Sequence, residues 1–446
     1  RRLANFGFAL VLVQRKNLKE DHFHTVFWFN LFLFGIVTAI LFLSAPAIAD
    51  FFENPLLADI LMVISFDFIL KALSAVPTAK LTRNMKFKEI GKIATVNSVV
   101  ILIPIAFTLM GYGVWSLVYG VLLGSFVSDL MGFYYARWYP RLRFKYWVLR
   151  DVFNFGIWVN ISSYLNYFIS NTDYFFIGKF LNAAQLGYYE RAFNLMNLPK
   201  KRVRQIVKNV LFSAYSKMKY EMGRLRAAFL KVTTHISVIL FPLMVWLFFA
   251  APSLIIVLYG GKWEPTIYPL QVMCISGLIY TFSSMFSPVF MAKGMVSTEA
   301  LSKFLHLIAL AGAVIFTIQW GINGVAWGVA FASFISLIVN LILMKWKMKL
   351  SVQKYFLAQR SAMVYSLFQI IILIGFQYAV KSYISKDSWQ MLLAVTILSL
   401  ISYLSAHLII RFKDLSEIFD EYFYDLKKML RQVPVIKNLG FLTPKP

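Results

Sequence analysis

The feature that most constrains this chain is the recurrence, from one end to the other, of apolar stretches about 20 residues long. At 1.5 Å per residue, about 20 residues of helix cross the roughly 30 Å of a bilayer's hydrocarbon. Lipid offers no partner to an unpaired backbone N–H or C=O, so each such stretch has to be helical. Spans are expected at 26–45, 57–79, 92–110, 114–135, 153–176, 184–200, 232–250, 268–291, 300–319, 324–343, 357–380 and 389–410, with an apolar remnant at 3–13. That makes twelve complete spans. Composition agrees: 59% of the 446 residues are hydrophobic and 15% charged, with mean hydropathy +0.67. An ordinary soluble domain is far more polar, and none fits between the spans.

The formal charge of +25 raises the possibility of a nucleic-acid partner, which its distribution removes. Of the 45 basic residues, 38 fall in one alternate set of connectors, with ten between Lys200 and Lys231 alone. The opposite set holds Lys179, Lys262, Lys381 and Lys386, beside Asp50, Glu53 and Asp59. By the positive-inside rule the basic set is cytoplasmic, the C-terminus included. The same alternation requires the weak span 184–200 to cross, because without it every later connector would change sides. The single cysteine, Cys274, lies in an apolar stretch, which excludes a disulfide framework or a cysteine metal site.

A repeat runs through the chain at an offset of about 210 residues. Ile64-Ser65, Pro77, Glu89 and Gly111 match Ile275-Ser276, Pro288, Glu299 and Gly321, with "MGYGVW" and "WGINGVAW" in register. Six spans separate the copies, an even number, so the two repeats are parallel. The expected fold is an all-α polytopic membrane protein of two parallel six-helix lobes plus two C-terminal helices. Its boundaries are 1–145 for a truncated N-terminal lobe, 146–350 for the C-terminal lobe, 351–411 for the two extra helices and 412–446 for a cytoplasmic tail. The second repeat unit begins with two helices whose first-unit counterparts are mostly missing. The intact protein is therefore expected to have fourteen helices, with the first and most of the second preceding Arg1.

The sequence carries no phosphate loop, HExxH, paired metal-ligand spacing or GxSxG elbow. The opposite-side connectors are short, whereas a membrane polymerase or glycosyltransferase usually holds its acid and base groups on a large loop. No enzyme activity, cofactor or metal is expected. Polar residues inside spans are then the informative ones, since each is costly in lipid and tends to face a bundle interior or a wet cavity. Ser162, Asn166, Ser170 and Asp173 follow one helical stripe; Glu190, Asn194 and Asn197 form a second, flanked by Arg191 and extended by Lys201; Ser276, Tyr280, Ser283 and Ser287 form a third. The serine stripe reads as interhelical hydrogen bonding, the other two as the lining of a cavity. Asp173 and Arg191 either neutralise each other or line a vestibule. Arg191 stands out because a guanidinium holds a phosphate by two parallel hydrogen bonds. Asp67 and Lys71, one turn apart, are either a structural ion pair or a coupling-ion or substrate site. Asp129 lies within about two turns of its span's cytoplasmic end, from where it can snorkel to the interface, and reads as structural. In the tail, Leu415, Ile418, Phe419, Tyr422, Phe423, Leu426, Met429 and Leu430 share one helical face, as in a helix lying on the membrane surface.

Four segments carry a family resemblance: "FGFALVLVQRKNL" at 6–18, "NYFISNTDYFFIGKFLNAAQLGYYERAFNLMNLP" at 166–199, "VLFSAYSKM" at 210–218 and "YGGKWEPTIYPLQVM" at 259–273. With them the whole chain resembles the polysaccharide transporter branch of the multidrug/oligosaccharidyl-lipid/polysaccharide (MOP) flippase superfamily, of the O-antigen, colanic acid and teichuronic acid exporter type. Ser213 departs from that pattern, standing where members often have proline. The resemblance implies a bacterial inner-membrane flippase that moves undecaprenyl-diphosphate-linked oligosaccharide for surface polysaccharide synthesis. Its implied partners are the lipid-linked oligosaccharide, membrane lipids and the glycosyltransferases and polymerase of the same pathway. The alternatives are a cation-coupled multidrug exporter of the same superfamily, or a membrane polysaccharide polymerase. The resemblance transfers no catalytic set, so Arg191, Asp173, Asn166, Glu190, Asn194, Asn197 and the Asp67/Lys71 pair stand on position and charge alone.

Overall fold

The computed structural model describes residues 12, 18–100, 102–218, 220–283, 285–380 and 388–410; the side chains of 151–160, 162–163, 202–214, 216–217 and 296 are outside that description. The tail stripe at 412–446, the apolar remnant at 3–13 apart from Leu12, and the Ser162 side chain therefore lie outside the described residues. Sixteen α-helices account for almost all of the rest, and no strand occurs among the described residues. They are α1 (Glu20–Phe51), α2 (Leu56–Arg83), α3 (Phe87–Val100), α4 (Ile103–Leu109), α5 (Val114–Ala136), α6 (Tyr146–Ile169), α7 (Thr172–Phe180), α8 (Ala183–Lys217), α9 (Met222–Tyr259), α10 (Ile267–Ser283), α11 (Phe286–Ala292), α12 (Val296–Thr317), α13 (Gly321–Met348), α14 (Val352–Leu357), α15 (Arg360–Val380) and α16 (Trp389–Ile410).

Packing divides the chain into two units, 1–170 and 171–446. In the first, α2 packs on α1 and α5, α3 and α4 lie against α5, and α6 returns to α1. Small residues make α5 the approachable helix, as is usual where lipid cannot drive burial. A Cβ added at Gly120 would sit 2.1 Å from Pro104 Cγ, and one at Gly124 would sit 2.8 Å from Asn97 Oδ1. The other surface of α1 carries Phe32 and Leu43, exposed by 69% and 79%, as suits a side chain solvated by hydrocarbon.

In the second unit the 38-residue α9 is the hub, packing against α8, α10, α15 and α16. Phe229, Phe286 and Tyr355 are buried at its core, and the Tyr355 hydroxyl donates to the Phe282 carbonyl. The last two helices dock on α9 through Val238, Phe241, Tyr365 and Tyr403. They are joined by Gln369 Nε2 donating to Ser399 Oγ at 2.6 Å. The repeat is visible in topology: α1, α2, α3–α4 and α5 recur in order as α9, α10–α11, α12 and α13, and α2 on α5 is matched by α10 on α13. Gly111 and Gly321 hold φ of 91° and 66° at the equivalent turns, a conformation that favours glycine.

Eight helical runs among the described residues are long and apolar enough to cross a membrane, the run 297–348 holding two expected spans on α12 and α13. The other expected spans, 57–79, 153–176 and 184–200, fall on α2, across α6 and α7, and on α8. Two elements differ from expectation. The stretch 153–176 is not one helix: it breaks at Ser170-Asn171, where the Ser170 hydroxyl bonds back to Asn166 O at 2.8 Å and Asn171 leaves helical geometry with φ −136°. The basic connector 200–231 is not a loop either, for α8 runs on to Lys217 and α9 starts at Met222. At 35 residues α8 is about 52 Å long, well beyond the hydrocarbon thickness, so its basic half can extend outside the membrane.

Candidate functional site

Helix α8 begins where the Asn182 side chain accepts from Gln185 N at 2.8 Å, capping the first turn. The helix then carries Glu190, Asn194 and Asn197 along one stripe. Glu190 is exposed and accepts from Asn194 Nδ2 at 3.4 Å, while Asn197 is buried. Arg191 lies beside the stripe, exposed, with its guanidinium carbon 5.8 Å from the centre of the Trp263 ring. Trp263 is itself fixed by Tyr188 and Tyr259, at 5.6 and 5.7 Å between ring centres. It stands in the 3-10 turn Gly261–Thr266, which Gly260 enters with φ 88°. The guanidinium makes no hydrogen bond or ion pair among the described residues. A ring face positions such a group without occupying its N–H donors.

The structure adds Lys200, which the sequence had assigned to a cytoplasmic connector. It is 7% exposed, with Nζ 4.6 Å from the centre of the Tyr280 ring. Arg191 and Lys200 thus bracket the amides, nine residues or about 14 Å apart along α8. Each side chain is set against an aromatic face. The signal that could have found Lys200 is its place three residues past Asn197, on the flank of the polar stripe.

Asp173 sits elsewhere. The break at Ser170-Asn171 moves it onto α7, 2% exposed, where it accepts from Tyr189 Oη at 2.7 Å and Tyr174 N at 3.0 Å. No ion pair joins it to Arg191 among the described residues. Asn166 is exposed near the end of α6, in the first unit.

The serine stripe has partners across helices. Ser276 Oγ lies 3.1 Å from Ser333 Oγ, Ser283 Oγ accepts from Asn340 Nδ2 at 2.9 Å, and Ser287 donates to Glu299 Oε1 at 2.5 Å. Glu299 is buried and also bonds Lys303 at 2.6 Å. This is the interhelical bonding expected of the stripe.

A second polar group lies in the first unit, between α2 and α5. The Ser125 hydroxyl donates to Asp67 Oδ1 and accepts from Lys71 Nζ, the latter at 3.0 Å. One turn further along α5, Asp129 is 4% exposed, held inside with the Ser74 hydroxyl and Lys71 bearing on its carboxylate. No group of three or more candidate metal ligands occurs among the described residues.

Against known proteins, the chain is 26% identical over 356 residues to the teichuronic acid biosynthesis protein TuaB of Bacillus subtilis, covering 79% of this chain and 74% of that one. It is 27% identical over 349 residues to the lipopolysaccharide biosynthesis protein WzxC of Escherichia coli, covering 77% and 70%. Among solved structures, the lipid II flippase MurJ in its inward closed conformation superposes with a TM-score of 0.74 at 17% identity, over 92% of this chain and 88% of that one. An inward-facing multidrug resistance MATE transporter gives 0.63 at 16% identity, over 78% and 86%. At those identities the likeness is one of fold, and the chain is a multi-pass membrane protein. Residues 1–268 match the family described as polysaccharide biosynthesis protein, and it is to this family that the chain belongs.

Proposed function

We propose that this protein is a flippase that moves undecaprenyl-diphosphate-linked oligosaccharide across the bacterial inner membrane for the synthesis of a surface polysaccharide. The observation that carries the reading is Arg191, a guanidinium held over Trp263 with its donors open, beside the amides of α8 in a chain of this family. Two parallel N–H···O bonds suit a diphosphate, and asparagine side chains offer both a donor and an acceptor to sugar hydroxyls. Glu190, Asn194, Asn197 and Lys200 accompany Arg191 as the head-group site. Asp173 supports that face through Tyr189, and Asn166, in the first unit, is a separate candidate. The protein works without catalysis, in the pathway of the glycosyltransferases and polymerase that make and use its cargo. It crosses the membrane twelve times within this sequence, with lobes at 1–145 and 146–350, extra helices at 351–411 and a cytoplasmic tail.

The test is the sidedness of the lipid-linked intermediate after deletion of the gene. A flippase defect leaves it on the cytoplasmic leaflet, whereas a polymerase defect leaves it facing the periplasm. Normal polymer export from a deletion strain with no redundant flippase overturns the reading. A change confined to drug sensitivity would favour a multidrug exporter instead.

A further inference from the structure

We propose that α15 and α16 are a brace locked to α9, so that the three helices move as one rigid body when the transporter changes access. Helices α15 and α16 pack on α9 and on each other. A pair attached in this way can either swing on α9 or stiffen it. Apolar packing alone would permit swinging, because lipid tails replace side-chain contacts at little cost. What decides is a row of hydrogen bonds along α9. At one end Thr234 donates to Ala358 O at 2.6 Å and Ser237 to Gln359 Oε1 at 2.9 Å, tying α9 to the segment that leads into α15. Next, Val238 O accepts from Tyr403 Oη at 2.9 Å and Pro242 O from Gln369 Nε2 at 3.4 Å. At the far end Trp246 Nε1 donates to Thr396 Oγ1 at 3.0 Å, and Phe249 O accepts from Gln377 Nε2 at 3.2 Å. Positions 234, 238, 242, 246 and 249 follow one stripe of a helix. The stripe runs about 22 Å along the axis, most of the roughly 30 Å of hydrocarbon.

The middle of the row is built on an opened turn. Pro242 has no N–H, so Val238 O, four residues earlier, lacks the bond that would close that turn of α9. An open carbonyl within hydrocarbon is costly, since lipid offers it no donor. Tyr403 closes it from α16, where Val238 is 6% and Tyr403 7% exposed. Pro252 opens Phe248 O in the same way, and Gln271 Nε2 closes that one from α10 at 3.2 Å. One opened turn of α9 is thus filled from the brace and the other from α10. Swinging α15 and α16 away would strip Val238 O of its donor, which fixes the pair in place. Gln369 ties the pair to each other in the same layer, through Ser399 Oγ. The inference rests on the flippase reading in one respect, that the motion of these helices is read out as export.

Two measurements on the whole chain test it. The first needs no substrate: melting in lipid nanodiscs is compared for Tyr403→Phe, Pro242→Ala and the two together. Tyr403→Phe is expected to lower the midpoint by a few degrees, and by much less when combined with Pro242→Ala, because the alanine N–H then serves Val238 O. An equal drop in both backgrounds overturns the proposal, for Tyr403 would not be closing the proline's turn. In the second, Trp246→Cys and Thr396→Cys are introduced together in a complemented deletion strain and joined by a reducible bifunctional thiosulfonate of about indole length; Cys274 is buried and does not compete. Polymer export by the joined protein is expected to equal that of the unjoined protein. Loss of export on joining, regained on reduction, overturns the proposal, because α16 would then have to move on α9. So does a pair that the reagent fails to join. If that pair does not insert, Ala250→Cys with Met391→Cys, from one apolar cluster, replaces it. A wild-type chain that restores no export would overturn the flippase reading instead, and the melting comparison then decides the brace by itself.

Discussion

Arg191 and Asp173 show how differently two charges on neighbouring helices can be used. Arg191 rests on Trp263 with its N–H donors open, so its removal should leave folding intact. Two charge-assisted hydrogen bonds contribute about 3 kcal/mol, equivalent to about a hundredfold. Arg191→Ala is therefore expected to cut export about a hundredfold at limiting substrate, with normal protein in the membrane fraction. Arg191→Lys, which keeps the charge but not the fork, should fall between the two. Full complementation by Arg191→Ala would exclude a head-group role. Asp173 is instead enclosed by the Tyr189 hydroxyl and the Tyr174 amide. Tyr189→Phe removes one donor from a buried carboxylate and should cost about 1–3 kcal/mol, read as a lower melting temperature in detergent. An unchanged melting curve would mean that this bond contributes nothing to α7 docking.

At the level of elements, polar residues and glycines hold the helices together where hydrophobic burial cannot. Asn340 joins α13 to α10 and α12 by two interhelical bonds, to Ser283 and from Ser302. Such bonds average about 0.6 kcal/mol in membrane proteins, so Asn340→Ala is expected to lose about 1 kcal/mol, measured by reversible unfolding in mixed micelles. Gly120→Leu has a harsher cause, since even a Cβ meets Pro104 at 2.1 Å. It should abolish a monodisperse peak in size-exclusion chromatography, whereas Gly91→Ala, with nothing within 4 Å, should not. The break between α6 and α7 belongs to this scale as well. Its polar residues were visible in the sequence, but their stripe fitted an unbroken helix equally well, and only the competing Ser170 bond shows which geometry the backbone takes.

For the whole molecule, the alternation of basic connectors makes a sidedness prediction. Cys274 is buried, so a cysteine placed at an exposed position reports alone. Glu53→Cys is expected to react with a membrane-impermeant thiol reagent in intact spheroplasts, and Arg141→Cys only after permeabilisation. The reverse pattern would invert the assigned orientation. The repeated order of helices in the two units, with α2 on α5 as α10 on α13, was legible beforehand because matched residues fall at a fixed spacing.

The apolar stretches by themselves determined an all-helical membrane protein, since backbone groups in lipid must pair within their own segment and a span has a set length. The periodic polar residues likewise marked helices that hold polar side chains inside the bundle, Asn197 on α8 and Ser276 on α10 among them. Which polar residues are bonded and which are left open was decided by tertiary packing alone, because that depends on partners far away in sequence. Ser125 reaches Asp67 across 58 positions, and Asn340 reaches Ser283 across 57. A charge in a sequence is a cost whose compensation lies elsewhere in the fold. Lys200 is set against Tyr280, and Asp129 lies with the Ser74 hydroxyl and Lys71 bearing on it.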